Sequence, residues 1–152
     1  MKSIISLVST IYNGSNQAYI YIWVSKSERL LYVGQTNDKL GTLGRGHSHV
    51  HSKGTLRIRC SERIGLDLEQ IQDLYLFSYA LPQMQEFISI ESSYRLGVEY
   101  LVQTKLYEQR SVANPIFQII SNVCTTERVN SGLVKDLATS IVSDFIHSYS
   151  RL

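Results

Sequence analysis

Between Tyr19 and His49 the chain gathers side chains that handle protons and phosphate: Tyr19-Ile20-Tyr21, then Leu31-Tyr32-Val33-Gly34, then Arg45 and His49 one helical turn apart. A phenol donates or accepts a hydrogen bond and, where its pKa is lowered, acts as a general base. The i, i+4 spacing puts Arg45 and His49 on one helix face. In combination these residues point to phosphodiester chemistry. Taken singly, each has a plainer reading: paired tyrosines on a hairpin pack across strands, and Arg45 and His49 are solvated helix polars.

The elements that position them follow from residue pattern. Tyr19 to Val24 and Leu30 to Gly34 are runs of aromatic and β-branched residues around the polar segment Ser25 to Arg29, which predicts two antiparallel strands. Alternation puts Tyr19, Tyr21 and Trp23 on one face and Ile20, Ile22 and Val24 on the other, so the aliphatic face covers the core and the phenols face whatever packs or binds there. Leu74 to Ala80 is almost continuously apolar and reads as a third, central strand, while Leu66 to Leu74 has helical spacing. A long helix is expected from about Gln83 to Glu108, with Pro82 introducing its first turn, and a short one over Ile116 to Val123. Ser131 to Ser148 carries Leu133, Leu137, Ile141 and Phe145 at fourfold spacing, a helix that packs on the core or mediates dimerisation. The expected fold class is α/β (α+β): a small three-stranded antiparallel sheet flanked by helices, in one domain over residues 1–152.

Composition agrees with one core, since 152 residues at 43% hydrophobic content are too few for two comfortable domains. A net charge of +2 does not by itself mark a nucleic-acid binder. Its distribution is more telling: Arg45, Lys53, Arg57, Arg59 and Arg63 face Glu62 alone within one segment. Alternation over Leu56 to Cys60 would put Arg57 and Arg59 on one side of an extended stretch along a phosphate backbone, or of an edge strand protected by charge. No apolar run is long enough for a bilayer, and Ile4 to Val8 lacks the length and cleavage site of a signal peptide, so no membrane partner and a cytoplasmic location are expected. Cys60 and Cys124 read as reduced thiols rather than a disulfide framework.

The order of these motifs resembles the GIY-YIG nucleases, a family named for two short motifs on adjacent strands of a small α/β domain. Here the first motif reads Tyr19-Ile20-Tyr21 and the second Tyr32-Val33-Gly34. Tyr19 stands where the family usually has glycine and Val33 where it has isoleucine, while both signature tyrosines are in place. Arg45 and His49 match the helix that follows, most closely in restriction-type members, and the likeness spans Tyr19 to Asn114. The resemblance implies a metal-dependent endonuclease that hydrolyses DNA phosphodiesters, with Mg²⁺ or Mn²⁺ held by one helical glutamate. Glu99, in Val98-Glu99-Tyr100-Leu101-Val102, is the better match for that ligand and Glu91 the reserve; the plain reading of Glu91 is an i, i+4 pair with Arg95. Asn114 stands as the downstream asparagine. In the implied reaction Tyr21 orients or deprotonates water, Arg45 steadies the phosphate charge, Glu99 holds the metal, and Tyr32 and His49 assist. Gln35, Lys53, Arg57, Arg59 and Asn114 are the expected substrate contacts, and symmetric cutting of both strands would favour a homodimer.

Other readings stay open at this level. His47, His49 and His51 are spaced to share a zinc ion, though no glutamate sits between them in the HExxH manner. A restriction enzyme and a nonspecific antibacterial nuclease effector both fit a chain this short. So do a catalytically silent nucleic-acid-binding module and an interaction domain that binds no nucleic acid.

Overall fold

The first strand pair forms where the aromatic and β-branched runs place it. The computed structural model describes residues 16–111, 115–122 and 124–152. Strand β1 (Tyr19–Ser25) pairs antiparallel with β2 (Leu30–Thr36), Tyr21 opposite Gly34 and Trp23 opposite Tyr32. Arg29 closes the hairpin in the left-handed region at φ 54°. Asp73 clamps the turn: one carboxylate oxygen accepts from the hydroxyls of Ser25 at 2.5 Å and Ser27 at 2.7 Å, the other from the backbone N–H groups of Lys26 and Ser27 at 2.9 and 2.8 Å. Tyr19, where the resemblance leads one to expect glycine, is accommodated within the ladder, opposite Thr36 on one side and Ala80 on the other.

Strand β3 (Leu74–Ala80) pairs with the other side of β1, so the hairpin's first strand is central and β3 lies at the edge. That corrects the expectation of a central third strand. Every residue of β1 is buried, whereas β3 is only partly covered and Tyr75 is 42% exposed. A second correction concerns the sheet itself, which is four-stranded and mixed, in the order β3-β1-β2-β4. Strand β4 (Gln118–Ile119) runs parallel to β2 where a short helix was expected. The reason lies in its flanks: Phe117 packs with one side of the sheet and Ile120 with the other, an alternation that extended backbone allows and a helix does not.

Between β2 and β3 lie α1 (Gly41–Val50) and α2 (Thr55–Ile64), then a short 3₁₀ turn over Leu68–Gln70 in place of the expected helix over Leu66 to Leu74. After β3 the expected single helix is divided into α3 (Gln85–Ile88) and α4 (Ser93–Gln109). Buried Arg95 causes the break, because its Nη1 gathers the carbonyls of Phe87, Ser89 and Glu91, which a continuous helix would have used internally. The chain ends with α5 (Gly132–Tyr149), within one residue of its expected bounds.

Two apolar layers flank the sheet. Ile20, Ile22, Val24, Leu31 and Val33 pack against Val98, Val102 and Leu106 of α4 and Val134, Ala138, Ile141 and Phe145 of α5. Tyr21, Trp23, Leu30 and Tyr32 pack on the other face against Leu56 and Cys60 of α2, with Leu68 and Ile71. Of the stripe expected on α5, Ile141 and Phe145 are buried and Leu137 packs partly against the core, while Leu133 is 36% exposed and Val134, Ala138 and Val142 complete the inward face. That face is covered by the core, so the helix packs on the sheet. No helix among the described residues is long and apolar enough to cross a membrane.

Candidate active site

Tyr21 sits at the middle of the central strand, facing α1. Its position depends on Gly34 across the hairpin, where a Cβ atom would lie 2.2 Å from the Tyr21 hydroxyl oxygen. Glycine there leaves the space the phenol occupies. Above it, α1 lies on the sheet with buried Gly46 facing the Trp23 ring.

That helix delivers both expected polar groups. His49 Nε2 lies 2.6 Å from the Tyr21 hydroxyl, and Arg45 Nε donates to the same oxygen at 3.4 Å. The His49 ring stands edge-on to both phenols, 5.3 Å from the Tyr21 ring and 5.0 Å from the Tyr32 ring. His49 is 1% exposed, and burial together with the Arg45 charge lowers its pKa to about 4, so it is neutral at pH 7. Burial acts oppositely on Tyr21, pushing the phenol above its usual range against the pull of Arg45. Nε2 is the ring nitrogen that meets the phenol, and Nδ1 is buried with no hydrogen-bond partner among the described residues.

Glu99 joins from α4. It is 7% exposed, and among the described residues its carboxylate takes part in no hydrogen bond or ion pair. Burial raises its pKa to about 8, partly offset by Arg45, and Glu99 in turn acts electrostatically on Tyr21 and Tyr32. The reserve residue Glu91 is exposed and accepts from the Ser93 hydroxyl. Its side chain makes no pair with Arg95, which instead takes the Glu91 carbonyl at 3.2 Å. Tyr21, Tyr32, Arg45, His49 and Glu99 thus meet from β1, β2, α1 and α4.

The expected substrate contacts divide. Gln35 lines a cavity of about 320 Å³ beside Arg45. Lys53 is exposed in the turn between α1 and α2. Arg57 and Arg59 lie on helix α2, not on an extended segment, so their i, i+2 spacing does not share a face. Arg57 grips Glu69 at 2.6 Å through both Nη atoms and Arg59 bonds Glu62 at 2.9 Å, so both charges are already paired. Asn114 lies outside the described residues. The zinc alternative loses its third ligand: His49 turns inward to Tyr21 while His47 and His51 are exposed with rings 6.3 Å apart, and no cluster of three metal-binding side chains occurs among the described residues.

One functional candidate escaped the sequence reading. Arg95, 3% exposed, lines the same cavity as Arg45 and Gln35 and donates from Nε to Gln35 Oε1 at 2.9 Å. Its signal was a spacing: Arg95, Glu99 and Gln103 form a buried i, i+4, i+8 polar row on α4. A larger concavity of about 660 Å³ runs along the polar face of α5, lined by Asp136, Thr139 and His147 among others, and includes none of these groups. Comparison with known protein families, curated proteins and solved structures gives no match for this chain.

Proposed function

We propose that the chain is a GIY-YIG-type endonuclease that hydrolyses DNA phosphodiester bonds with the help of a divalent cation. The convergence of two phenols, a guanidinium, a neutral imidazole and a largely buried carboxylate with no hydrogen bond among the described residues, from four separate elements, carries this reading. A buried carboxylate without a partner is costly unless a proton or a cation compensates it. Glu99 therefore fits a Mg²⁺ or Mn²⁺ ion, which keeps several waters and borrows oxygens from substrate. When bound, such an ion supplies neutralisation of charge on the phosphate and the leaving oxygen.

The chain's own groups supply the rest. Tyr21 takes the proton of the attacking water as its own proton passes along the 2.6 Å bond to His49 Nε2. The water oxygen bonds to phosphorus, the ester P–O bond breaks, and the leaving oxygen takes a proton from solvent. Arg45 Nε steadies the phenolate oxygen that forms between the two transfers, and its Nη atoms, unpaired among the described residues, turn to the phosphate. Tyr32 braces the imidazole edge-on. Charging His49 in a buried place beside Arg45 is what the reaction must overcome.

Linear DNA incubated with Mg²⁺, Mn²⁺ or EDTA tests the reading and its narrower forms. Discrete metal-dependent fragments, lost in folded Tyr21→Phe, Arg45→Ala and Glu99→Ala proteins, are expected for a restriction-type enzyme. A metal-dependent smear would mean a nonspecific effector. Intact DNA bound in a salt-dependent manner would assign the same cleft to a silent binding module.

A further inference from the structure

The cavity beside Arg45 holds more donors than the reaction described above requires. It is lined by Gln35, Thr36, Asn37, Asp38, Arg45 and Arg95 and has a volume of about 320 Å³. Arg95 is fixed from behind: Nη1 donates to the carbonyls of Phe87, Ser89 and Glu91, the latter two at 2.8 and 3.2 Å, and Nε to Gln35 Oε1 at 2.9 Å. Its Nη2 makes no hydrogen bond among the described residues, and the guanidinium lines the cavity. The bond to Gln35 Oε1 also fixes the orientation of that amide, and its NH₂ makes no hydrogen bond among the described residues. Asn37 secures the same loop, its Nδ2 donating to the carbonyls of Ile88 and Ser89 at 3.3 and 2.9 Å. One carboxylate, Asp38, lies at the rim, already accepting from the Leu40 N–H at 2.8 Å. Two guanidiniums against one carboxylate leave the cavity net cationic.

We propose that this cavity is a phosphate subsite, held by Arg95 and the Gln35 amide and sharing Arg45 with the active site. Resting on the nuclease reading, it takes the phosphate adjacent to the scissile one in a nucleic-acid strand and so sets the strand's register on the enzyme. Burying an arginine to hold one loop is an expensive way to satisfy three carbonyls, whereas a rigid, preorganised guanidinium beside a second one suits a phosphate oxygen.

The test uses the full chain without metal, with inorganic phosphate as probe and the side-chain N–H resonances of Gln35 and Arg95 as readout. Saturable shifts are expected. Asp38→Asn keeps the bond from Leu40 but removes the like charge, and should tighten phosphate binding about fivefold. Gln35→Glu keeps the acceptor for Arg95 but removes the donors and adds a negative charge, and should abolish the shift of the Arg95 resonances, which are the ones read in this variant; it remains informative if Arg95→Met fails to fold. In parallel, the salt slope of duplex DNA binding in EDTA should fall by about one in Gln35→Glu or Arg95→Met. Shifts that are absent, or unchanged in Asp38→Asn and Gln35→Glu, would overturn the subsite even if the wild type cleaves DNA. Phosphate binding with the expected variant pattern, in a protein that neither binds nor cleaves DNA, would keep the subsite for free phosphate and remove the nuclease reading.

Discussion

Tyr21 depends on Gly34, His49 and Arg45, which the chain places separately. Gly34→Ala puts a methyl group where the phenol stands, so Tyr21 must leave His49. Cleavage should drop by two orders of magnitude or more, in the range of a lost general base, while far-UV circular dichroism stays native. The buried titrating groups have opposite pH signatures. His49 is depressed from 6.5 to about 4, so the stability it contributes is present above 6.5 and lost as pH falls through that window. Glu99 is raised from 4.5 to about 8, so its contribution is present below 4.5 and lost as pH rises toward 8. Between 4.5 and 6.5 the two offset each other; above 6.5 only Glu99 remains. In EDTA the Tm of the wild type should therefore fall from pH 6.5 to 8, and Glu99→Gln should abolish the fall, with a gain on the order of 1–3 kcal/mol at pH 8. Added Mg²⁺ should raise the wild-type Tm and leave that of Glu99→Gln unmoved.

At the scale of elements, local patterns were legible in the sequence and distant pairings were not. Alternation in Tyr19 to Val24 sorted the two faces of β1 correctly, because a strand buried on both sides still segregates its side chains by period. The same approach failed for β4, whose two residues exist as a strand only through parallel pairing with Leu30 and Leu31. It failed again for Arg57 and Arg59, since Leu56 and Cys60 are also one helical turn apart and it is that spacing which seats α2 on Trp23 and Tyr32. The break between α3 and α4 was invisible because its cause, a buried arginine collecting carbonyls, appears in sequence as one charged residue in an apolar helix. Asp73 belongs to this scale as well, joining the start of β3 to the β1–β2 turn through four hydrogen bonds. Urea unfolding of Asp73→Ala should show a loss of about 1–3 kcal/mol, with the active-site resonances unchanged.

The whole molecule places its polar cluster where the two layers around the sheet come together. Tyr21 and Tyr32 belong to the layer under α1 and α2, whereas Glu99 arrives on α4, whose apolar side packs on the opposite face. Such a site has no sequence-local signature beyond its hairpin and the Arg45 and His49 pair, which is why Glu99 was placed by resemblance and Arg95 was overlooked. The central claim is that this cluster hydrolyses phosphodiesters, and the most direct measurement is conversion of supercoiled plasmid by the purified wild type beside Glu99→Ala, with Mg²⁺ and with EDTA. Nicked and linear products formed only by the wild type and only with Mg²⁺ are the expected result. Equal conversion by both proteins, or intact plasmid with a folded wild type under every metal condition, would contradict it.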